Sequence, residues 1–417
     1  MTVLLIAVNT ERINLPVLPL GSARVAAAVQ RAGHEVVLLN LMLEGEPAGA
    51  IRRAVDACRP DVIGLSIRNV DDQNMADPRF LLEPAREVVR ACRAASKAPI
   101  VVGGAGYTIF AGPALSFLGA DVGVRGEGEL VFPALLARIA RGQRGSDLPG
   151  LCMAGRPVAA GRLLADDLDE LPTPAAALWP GVDPGLADLW VPIQSRRGCP
   201  LDCSYCSTAS IEGRSIRMRS PHVVAGELAG LARRGFRRFY FVDNTFNRPA
   251  EYALALCREI ARLRLHVTWR CILYPHEVSE ELADAMAAAG CVEASLGFES
   301  GNEGVLRAMN KQFGPADVRR VSDLLRARGI RRDGFLLVGG PGETMASVEE
   351  SVAFAHSLQL DSLKVTVGIR IYPGTPLAKT AVHEGIISPD DNLLRPRFYL
   401  ARELKDQTER LSTLAQA

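Results

Sequence analysis

The sequence lacks an excess of charge of one sign, a long hydrophobic run and a secretory leader. Its 417 residues include 48 Lys and Arg against 47 Asp and Glu, so no strong overall field attracts nucleic acid or an anionic membrane. No apolar run reaches the roughly 18 residues of a membrane span, and the apolar N-terminus has neither a basic leader nor a cleavage site. These absences predict a cytoplasmic protein that binds neither nucleic acid nor a membrane.

Cysteine is also scarce, with nine residues in the chain. Six of them are scattered through apolar or helical surroundings and are expected to be buried, reduced thiols: Cys58, Cys92, Cys152, Cys257, Cys271 and Cys291. Nothing in the chain suggests an oxidising compartment, so disulfides are not the favoured interpretation of the other three.

The three remaining cysteines are Cys199, Cys203 and Cys206, with three and then two residues between them. Soft thiolates suit iron, and a short loop can wrap a cluster, so this spacing fits three corners of a [4Fe–4S] cube with one iron left open. A structural zinc site is the alternative, but it normally needs four ligands in paired spacings, and the nearest downstream His is His222. We therefore interpret the segment as an iron–sulfur site.

Residues 1–140 alternate strand and helix patterns with short connections, which predicts a doubly wound, Rossmann-like parallel sheet. In such a sheet the ligand lies beyond the carboxyl ends of the strands, at the switch in strand order. This rule selects the loops at residues 9–20, 66–74, 103–107 and 125–129. Glycines in the last two loops would let the backbone approach a large ligand closely. A dinucleotide is a weaker interpretation, because no G-x-G-x-x-G segment follows the first strand.

The rest of the chain predicts a second, larger α/β unit. Residues 141–190 form a Pro- and Gly-containing linker, with a small hairpin expected between residues 151–153 and 162–164. Residues 191–380 carry six strand–helix repeats, as a partial (β/α)6 barrel requires, and residues 381–417 form a C-terminal tail. The polar motifs of the repeats fall at the carboxyl ends of the strands, where barrel active sites lie.

The cysteine segment, with Tyr205 just before its last Cys, resembles the signature of radical S-adenosylmethionine (SAM) enzymes. Three later segments resemble that family's SAM-binding motifs: Val242-Asp243-Asn244, Ser295-Leu296-Gly297-Phe298-Glu299 and Gly339-Gly340-Pro341-Gly342. The resemblance implies that SAM chelates the open iron and that an electron from the cluster cleaves SAM to a 5′-deoxyadenosyl radical. It also implies an external electron donor of the flavodoxin or ferredoxin type.

The SAM-binding residues that this resemblance implies are Tyr205, Gly340 and Pro341 near the adenine, Asp243 and Asn244 at the amino group, and Ser295, Gly297 and Glu299 at the methionyl and ribose parts.

The loops of the first domain resemble the cobalamin-binding domain of cobalamin-dependent radical SAM enzymes. The matching segments are Pro19-Leu20-Gly21, Gly33-His34-Glu35-Val36, Val102-Gly103-Gly104 and Gly126-Glu127-Gly128-Glu129. The residues that the resemblance places around the corrin ring are Leu20, Ser66, Arg68, Asn69, Gly103, Gly104, Gly126, Glu127 and Gly128.

One departure from mutase-type cobalamin proteins is informative. Those proteins use an Asp-x-His-x-x-Gly segment whose His ligates cobalt from below, and this chain has no such segment. We therefore expect the lower axial position to lack a protein His. Our hypothesis is that Arg68 discourages axial ligation; the alternative is an Arg68 paired with Asp71 or Asp72.

The function that the resemblance implies is methylation of an unactivated carbon by a cobalamin-dependent radical SAM enzyme. The alternatives are a radical rearrangement, cyclisation or ring contraction, a radical enzyme whose first domain binds no cobalamin, and a non-catalytic corrinoid sensor. The short tail has no cysteine-rich extension, which argues against tRNA methylthiotransferases and maturases with auxiliary clusters. A small-molecule substrate is expected between the domains, near residues chosen by location alone: Tyr274, His276, Arg397 and Tyr399.

Overall fold

The computed structural model describes residues 1–11, 18–143, 148–156, 158, 160–174, 182–185 and 189–416. Two six-stranded sheets, each flanked by helices, form its framework. The predicted α/β fold class, a doubly wound domain followed by a partial barrel, is confirmed. None of the described helices is long and apolar enough to cross a membrane.

The first sheet has the strand order β2-β1-β3-β4-β5-β6, with β6 antiparallel to β5 and the other pairs parallel. Its strands are β1 (Thr2–Ala7), β2 (Glu35–Asn40), β3 (Val62–Ser66), β4 (Ile100–Gly103), β5 (Val122–Val124) and β6 (Leu151–Met153). Because the chain leaves β1 for β2 on one side and then returns to β3 on the other, the topological switch lies between β1 and β3.

Helices and one 3-10 turn connect these strands and cover the two faces of the sheet: α1 (Leu20–Arg31), the turn Leu41–Leu43, α2 (Pro47–Cys58), α3 (Leu82–Ala95), α4 (Ala105–Ile109), α5 (Ala111–Leu118) and α6 (Gly128–Ile139). Five of the six residues of β1 are buried, as expected for a central strand covered on both faces.

Two local predictions differ from the structure. Residues 105–118 were not predicted as helix, yet α4 and α5 occupy this stretch, and the loop after β4 is therefore short. The hairpin expected between residues 151–153 and 162–164 is wrong, because β6 pairs with β5 instead and protects its otherwise open edge. Part of the loop at residues 9–20, and Trp179-Pro180 of the linker, lie outside the described residues.

The described residues of the second half form these strands: β7 (Val191–Ile193), β8 (Arg196–Arg197), β9 (Arg217–Met218), β10 (Arg238–Phe241), β11 (Thr268–Leu273), β12 (Cys291–Glu299), β13 (Arg331–Val338), β14 (Ser362–Val367), β15 (Ile369–Arg370) and β16 (Phe398–Tyr399). Six of them form the parallel second sheet in the order β7-β10-β11-β12-β13-β14, while β8 pairs with β9 and β15 pairs with β16. Neighbouring strands in this sheet follow chain order. The two end strands, β7 and β14, do not pair with each other, which is the connectivity of an open (β/α)6 barrel.

The helices of this half are α7 (Thr208–Glu212), α8 (Pro221–Arg233), α9 (Ala250–Arg262), α10 (Glu280–Ala288), α11 (Glu303–Ala308), α12 (Pro315–Ala327), α13 (Met345–Ser357), α14 (Pro376–His383) and α15 (Thr408–Gln416), with a 3-10 turn at Arg402–Gln407. Along β11 buried and half-buried residues alternate, so one face packs under the helices and the other faces the barrel interior.

The two sheets are joined through buried contacts. One continuous apolar core contains Phe132 of α6 and Leu228 of α8, so the domains share packing. A buried ion pair of 2.8 Å links Arg370 of β15 to Asp71, which follows β3 in the first domain. These contacts hold the carboxyl edges of the two sheets next to each other.

Candidate active site

A cavity of about 610 Å³ lies between the carboxyl edges of the two sheets. The loops after β1, β3, β4 and β5 form its first wall, and α7 with the exits of β7 and β10 forms the opposite wall. All nine residues predicted to surround a corrin ring line this cavity: Leu20, Ser66, Arg68, Asn69, Gly103, Gly104, Gly126, Glu127 and Gly128. Parallel strands that end at one edge explain why loops so distant in sequence meet here.

The glycines after β4 also allow a close approach between two loops of the cavity wall. Gly104 has φ +105°, and a Cβ atom there would lie 2.5 Å from the carbonyl oxygen of Ile67. A Cβ on Gly106 would lie 2.8 Å from the carbonyl oxygen of Arg68. These glycines therefore let the loops after β3 and β4 pack closely on each other, and both glycines line the cavity.

The wall carries buried polar atoms that have no hydrogen-bond partner among the described residues. The Ser22 hydroxyl and two guanidinium nitrogens of Arg24 are buried without a hydrogen bond, and both residues line the cavity. Burial lowers the pKa of Arg24 to about 10, because the favourable effects of Glu227 and Glu129 offset only part of the desolvation. A corrin ring carries amide groups at its rim, so the size and the orphaned polar atoms of this wall fit cobalamin.

Arg68 directs an exposed side chain into the same cavity. The two acids considered as its partners are occupied elsewhere: Asp71 pairs with Arg370 at 2.8 Å, and Asp72 pairs with Arg79 at 3.0 Å. Among the described residues Arg68 has no ion pair. Partial desolvation of its guanidinium in the cavity lowers its pKa, and Tyr240 of the second domain acts in the opposite direction. No His is found among the described residues that line the cavity.

Glu127, predicted to contact cobalamin, also belongs to a buried ionic network that bridges the domains. Arg197 of β8 lies 2.5 Å from Glu129 and 3.2 Å from Glu127, and Arg217 of β9 lies 2.8 Å from Glu127. Burial by itself would lower the pKa of Arg197, but the two carboxylates outweigh it and raise that pKa. The network connects the cavity wall to the residue that precedes the cysteine loop.

The cysteine loop begins with a position that only glycine fits. Gly198 has φ +91°, and a Cβ atom there would lie 2.0 Å from the carbonyl oxygen of Ser215. The Cys199 backbone N–H then donates to the Gly213 carbonyl at 3.0 Å, and the Cys206 N–H donates to the Cys203 carbonyl at 3.2 Å. The loop is thereby wound into a compact turn.

The three thiols of the loop influence one another electrostatically. Burial raises the pKa of Cys199, and burial together with Cys206 and Cys199 raises the pKa of Cys203 to about 11. Among the described residues no three His, Cys, Asp or Glu side chains converge closely enough to hold a single metal ion. A cubane places each thiolate on a different iron, so this arrangement suits a cluster better than one zinc ion.

Tyr205 and Glu299, both predicted to bind SAM, are brought together beside Cys203. The Tyr205 hydroxyl donates to Glu299 Oε1 at 2.9 Å, and Lys311 Nζ lies 3.2 Å from the same oxygen and 5.4 Å from the Tyr205 ring centroid. Burial alone would lower the pKa of Lys311, but Tyr205 and Glu299 raise it well above its ordinary value. Sequence reasoning missed Lys311, which belongs to no motif that we recognised.

The two residues predicted at the SAM amino group, Asp243 and Asn244, have different surroundings in the structure. Asp243 is 1% exposed, and its oxygens accept from the Ser195 N–H at 2.9 Å, the Ser195 hydroxyl at 2.6 Å and the Arg196 N–H at 3.2 Å. These contacts occupy both carboxylate oxygens, and Asp243 does not line the cavity. Asn244 does line the cavity, and its side-chain amide donates to Glu212 at 2.7 Å.

The other predicted SAM residues lie on nearby strand exits. Ser295 and Gly297 lie on the same face of β12 as Glu299, and that face looks into the barrel. Gly340 and Pro341 belong to the turn after β13, where Glu343 accepts the backbone N–H groups of Gly339 and Gly340 at 2.6 and 2.9 Å.

Two of the four residues suggested for the substrate are placed elsewhere. Tyr399 is 1% exposed and its hydroxyl donates to Glu384, while Arg397 pairs with Asp391 at 3.1 Å on the tail. These two assignments are wrong, because the tail folds back as β16 on β15 instead of reaching the cavity.

The other two, Tyr274 and His276, follow β11. The Tyr274 oxygen accepts the Gln312 N–H at 2.8 Å, and His276 lies 3.6 Å from Glu277. Neither residue lines the cavity between the sheets.

Comparisons with known proteins agree with this geometry. The family model described as the B12 binding domain matches residues 6–136, and the model of the Radical SAM superfamily matches residues 193–355. An uncharacterized methyltransferase of Pyrococcus horikoshii is 27% identical over 88% of this chain and 79% of the relative. Tryptophan 2-C-methyltransferase of Streptomyces laurentii is 24% identical over 90% of this chain and 74% of the relative.

Among solved structures, the fold is similar to that of TsrM from Kitasatospora setae, a radical SAM methyltransferase described with cobalamin and a [4Fe–4S] cluster bound. The TM-score is 0.81 at 24% identity, covering 92% of this chain and 75% of that protein. The order of the two matched domains and the geometry of the site lead to one assignment. The chain belongs to the cobalamin-dependent radical SAM enzymes, whose cofactors are a [4Fe–4S] cluster, SAM and cobalamin.

Proposed function

We propose that this enzyme methylates an unactivated carbon of a small-molecule substrate held between its two domains. The observation that carries the proposal is the shared wall: Thr208, Glu212 and Asn244 line the cobalamin-sized cavity and also adjoin the cysteine loop. A substrate at this wall would lie between the source of the radical and the source of the methyl group.

The cofactors would supply the reactive chemistry and the chain would position them. When bound, the cluster with SAM supplies the radical that removes hydrogen from an inert C–H bond, and cobalamin supplies the methyl group. Cys199, Cys203 and Cys206 would hold three irons and leave the fourth to SAM. Lys311 fixes Glu299 and Tyr205 beside Cys203, so that the aromatic ring is held in one orientation.

Arg68 would act on the cobalamin side of the cavity. Its guanidinium has no acid partner among the described residues, and it cannot donate an electron pair to a metal because it remains protonated. A permanently charged, non-ligating side chain on this wall would discourage other donors from ligating the metal of a bound cobalamin. The remaining cobalamin residues would form the rim and floor of the cavity.

Three further assignments complete the proposal. An electron donor of the flavodoxin or ferredoxin type would approach near Cys206, which is the exposed member of the three cysteines. All nine cysteines are free thiols, which favours the cytoplasm. We also propose residues 1–140 as the cobalamin domain, 141–190 as the linker, 191–380 as the radical domain and 381–417 as the tail.

The proposal can be tested before the substrate is known. Anaerobic enzyme carrying reduced corrinoid is incubated with SAM labelled in its methyl group, and the corrinoid is then extracted. We expect the label on the corrinoid and an equal amount of S-adenosylhomocysteine. Formation of 5′-deoxyadenosine without any labelled corrinoid would contradict methyl transfer and favour a rearrangement or cyclisation.

A further inference from the structure

The wall between the cavity and the cysteine loop contains an acid that neither the sequence motifs nor the comparisons assign. Glu212 is the last residue of α7, six residues after Cys206, and its side chain lines the cavity. The other acids of this lining are ion-paired: Asp71 with Arg370, Glu127 with Arg217 and Glu129 with Arg197. Glu212 has no ion pair among the described residues.

Hydrogen bonds place Glu212 between two of the cluster cysteines. Its Oε2 accepts the backbone N–H of Gly198 at 3.0 Å, immediately before Cys199, and the side-chain amide of Asn244 at 2.7 Å. Asn244 Oδ1 accepts from the Thr208 hydroxyl at 3.4 Å, and that hydroxyl lies 3.2 Å from the sulfur of Cys206. The carboxylate therefore closes a chain of contacts that runs from the third cysteine to the residue before the first.

Two oxygens in this chain of contacts can still accept hydrogen bonds from a cation. Glu212 Oε1 receives only a long contact of 3.4 Å from the Gln194 amide, and Asn244 Oδ1 receives only the long Thr208 contact. An ammonium group has three N–H donors and needs acceptors of this kind. Burial raises the pKa of Glu212, so a bound cation would favour its ionised form.

We propose that Glu212, with Asn244 beside it, receives the α-ammonium group of SAM. The inference rests on the proposed function, since it requires SAM to lie at the cysteine loop. It transfers to Glu212 the role predicted for Asp243, whose oxygens are held by Ser195 and Arg196 and are out of reach. Asp243 is then a positioning residue that fixes the start of the cysteine segment.

Binding measurements on the cluster-loaded enzyme test this assignment without depending on turnover. The ligands are SAM and deamino-SAM, which keeps the sulfonium and carboxylate but lacks the amino group. Glu212→Gln retains an oxygen for the Gly198 and Asn244 donors, so iron content should match the wild type. We expect SAM affinity to fall about 10- to 100-fold, as for loss of a charge-assisted hydrogen bond, with deamino-SAM affinity unchanged.

The isosteric variant Asp243→Asn is the matched control, and it should retain the wild-type preference for SAM over deamino-SAM. An unchanged preference in Glu212→Gln, or a lost preference in Asp243→Asn, would overturn the assignment while leaving the proposed function intact. A wild-type enzyme with a full cluster that binds no SAM would overturn both.

Discussion

The loops at the carboxyl edge of the first sheet line a cavity of about 610 Å³ with several polar groups that lack hydrogen-bond partners among the described residues, whereas the polar side chains beside Cys203 on the second sheet are paired with one another. The cavity wall presents unpartnered groups, notably Arg68 and the buried atoms of Ser22 and Arg24. On the second sheet Tyr205, Glu299 and Lys311 satisfy one another beside Cys203.

The difference reflects the ligands that each edge serves. A large, rigid ring needs space that exists before it binds, and the wall can leave polar groups for the ring to satisfy. A cluster and SAM need precise orientation at a short loop, which a compensated network of charges and hydrogen bonds supplies. Arg197 connects the two edges, because it pairs with the cavity acids Glu127 and Glu129 and directly precedes the cysteine loop.

The largest expected effect separates the two edges. Cys203→Ala removes one of three cluster ligands, so iron, sulfide and 5′-deoxyadenosine formation should fall to background. Corrinoid content should stay at the wild-type level, because no cysteine of the cluster lines the cavity. Cys58→Ala in α2 is the matched control and should keep the cluster. Loss of corrinoid along with iron would show that the edges are not independent.

A large effect is also expected where the edges are connected. Arg197→Met leaves Glu129 buried without its cation, and the free energy of unfolding should fall by about 3–5 kcal/mol in chemical denaturation. Both iron and corrinoid content should decrease, since the network touches both edges. The exposed pair of Arg93 with Asp121 provides the control, because Arg93→Met should cost at most about 1 kcal/mol. Equal losses in the two variants would argue against a bridging role for Arg197.

A smaller effect is expected on the cobalamin edge alone. Arg68→Ala should leave the cluster intact but change the visible spectrum of the bound corrinoid and lower methyl transfer about tenfold or more, because an axial donor gains access. Arg79→Ala on the same loop, whose side chain pairs with Asp72 and Glu11, should change neither. An unchanged spectrum and rate in Arg68→Ala would remove the axial role.

The smallest effect concerns the compensated network of the second edge. Tyr205→Phe removes the hydrogen bond to Glu299 but keeps the ring under Lys311, so unfolding should become easier by about 1 kcal/mol. SAM affinity should fall about two- to fivefold. Tyr399→Phe removes a comparable hydrogen bond to Glu384 in the tail and should lower stability without changing SAM affinity. If Tyr205→Phe and Tyr399→Phe changed SAM affinity equally, Tyr205 would not be part of the SAM site.

Features that follow from strand ends were predictable from the sequence. The cavity residues were found because parallel strands of a doubly wound sheet end at one edge, so loops such as 66–74 and 125–129 must converge there. The cysteine loop was found because its ligands are contiguous in sequence.

Features that depend on distant contacts were not predictable. The contacts of Asp243 with Ser195 and Arg196 were not predicted, because these partners come from a strand exit nearly fifty residues earlier and a motif does not reveal them. Lys311 and Glu212 carried no signal, since a lone Lys after a helix and a lone Glu in a short one are common surface patterns. Tyr399 was misplaced because the return of the tail onto β15 is set by tertiary pairing.

In our interpretation one chain binds both a [4Fe–4S] cluster and cobalamin, on the two sides of one wall. The most direct test is the corrinoid, iron and sulfide content, with the anaerobic visible spectrum, of protein produced in cobalamin-supplied cells. The account predicts one corrinoid per chain beside one [4Fe–4S] cluster. A full cluster with no corrinoid, even after reconstitution with cobalamin, would contradict it and make the first domain a scaffold or a substrate-binding module.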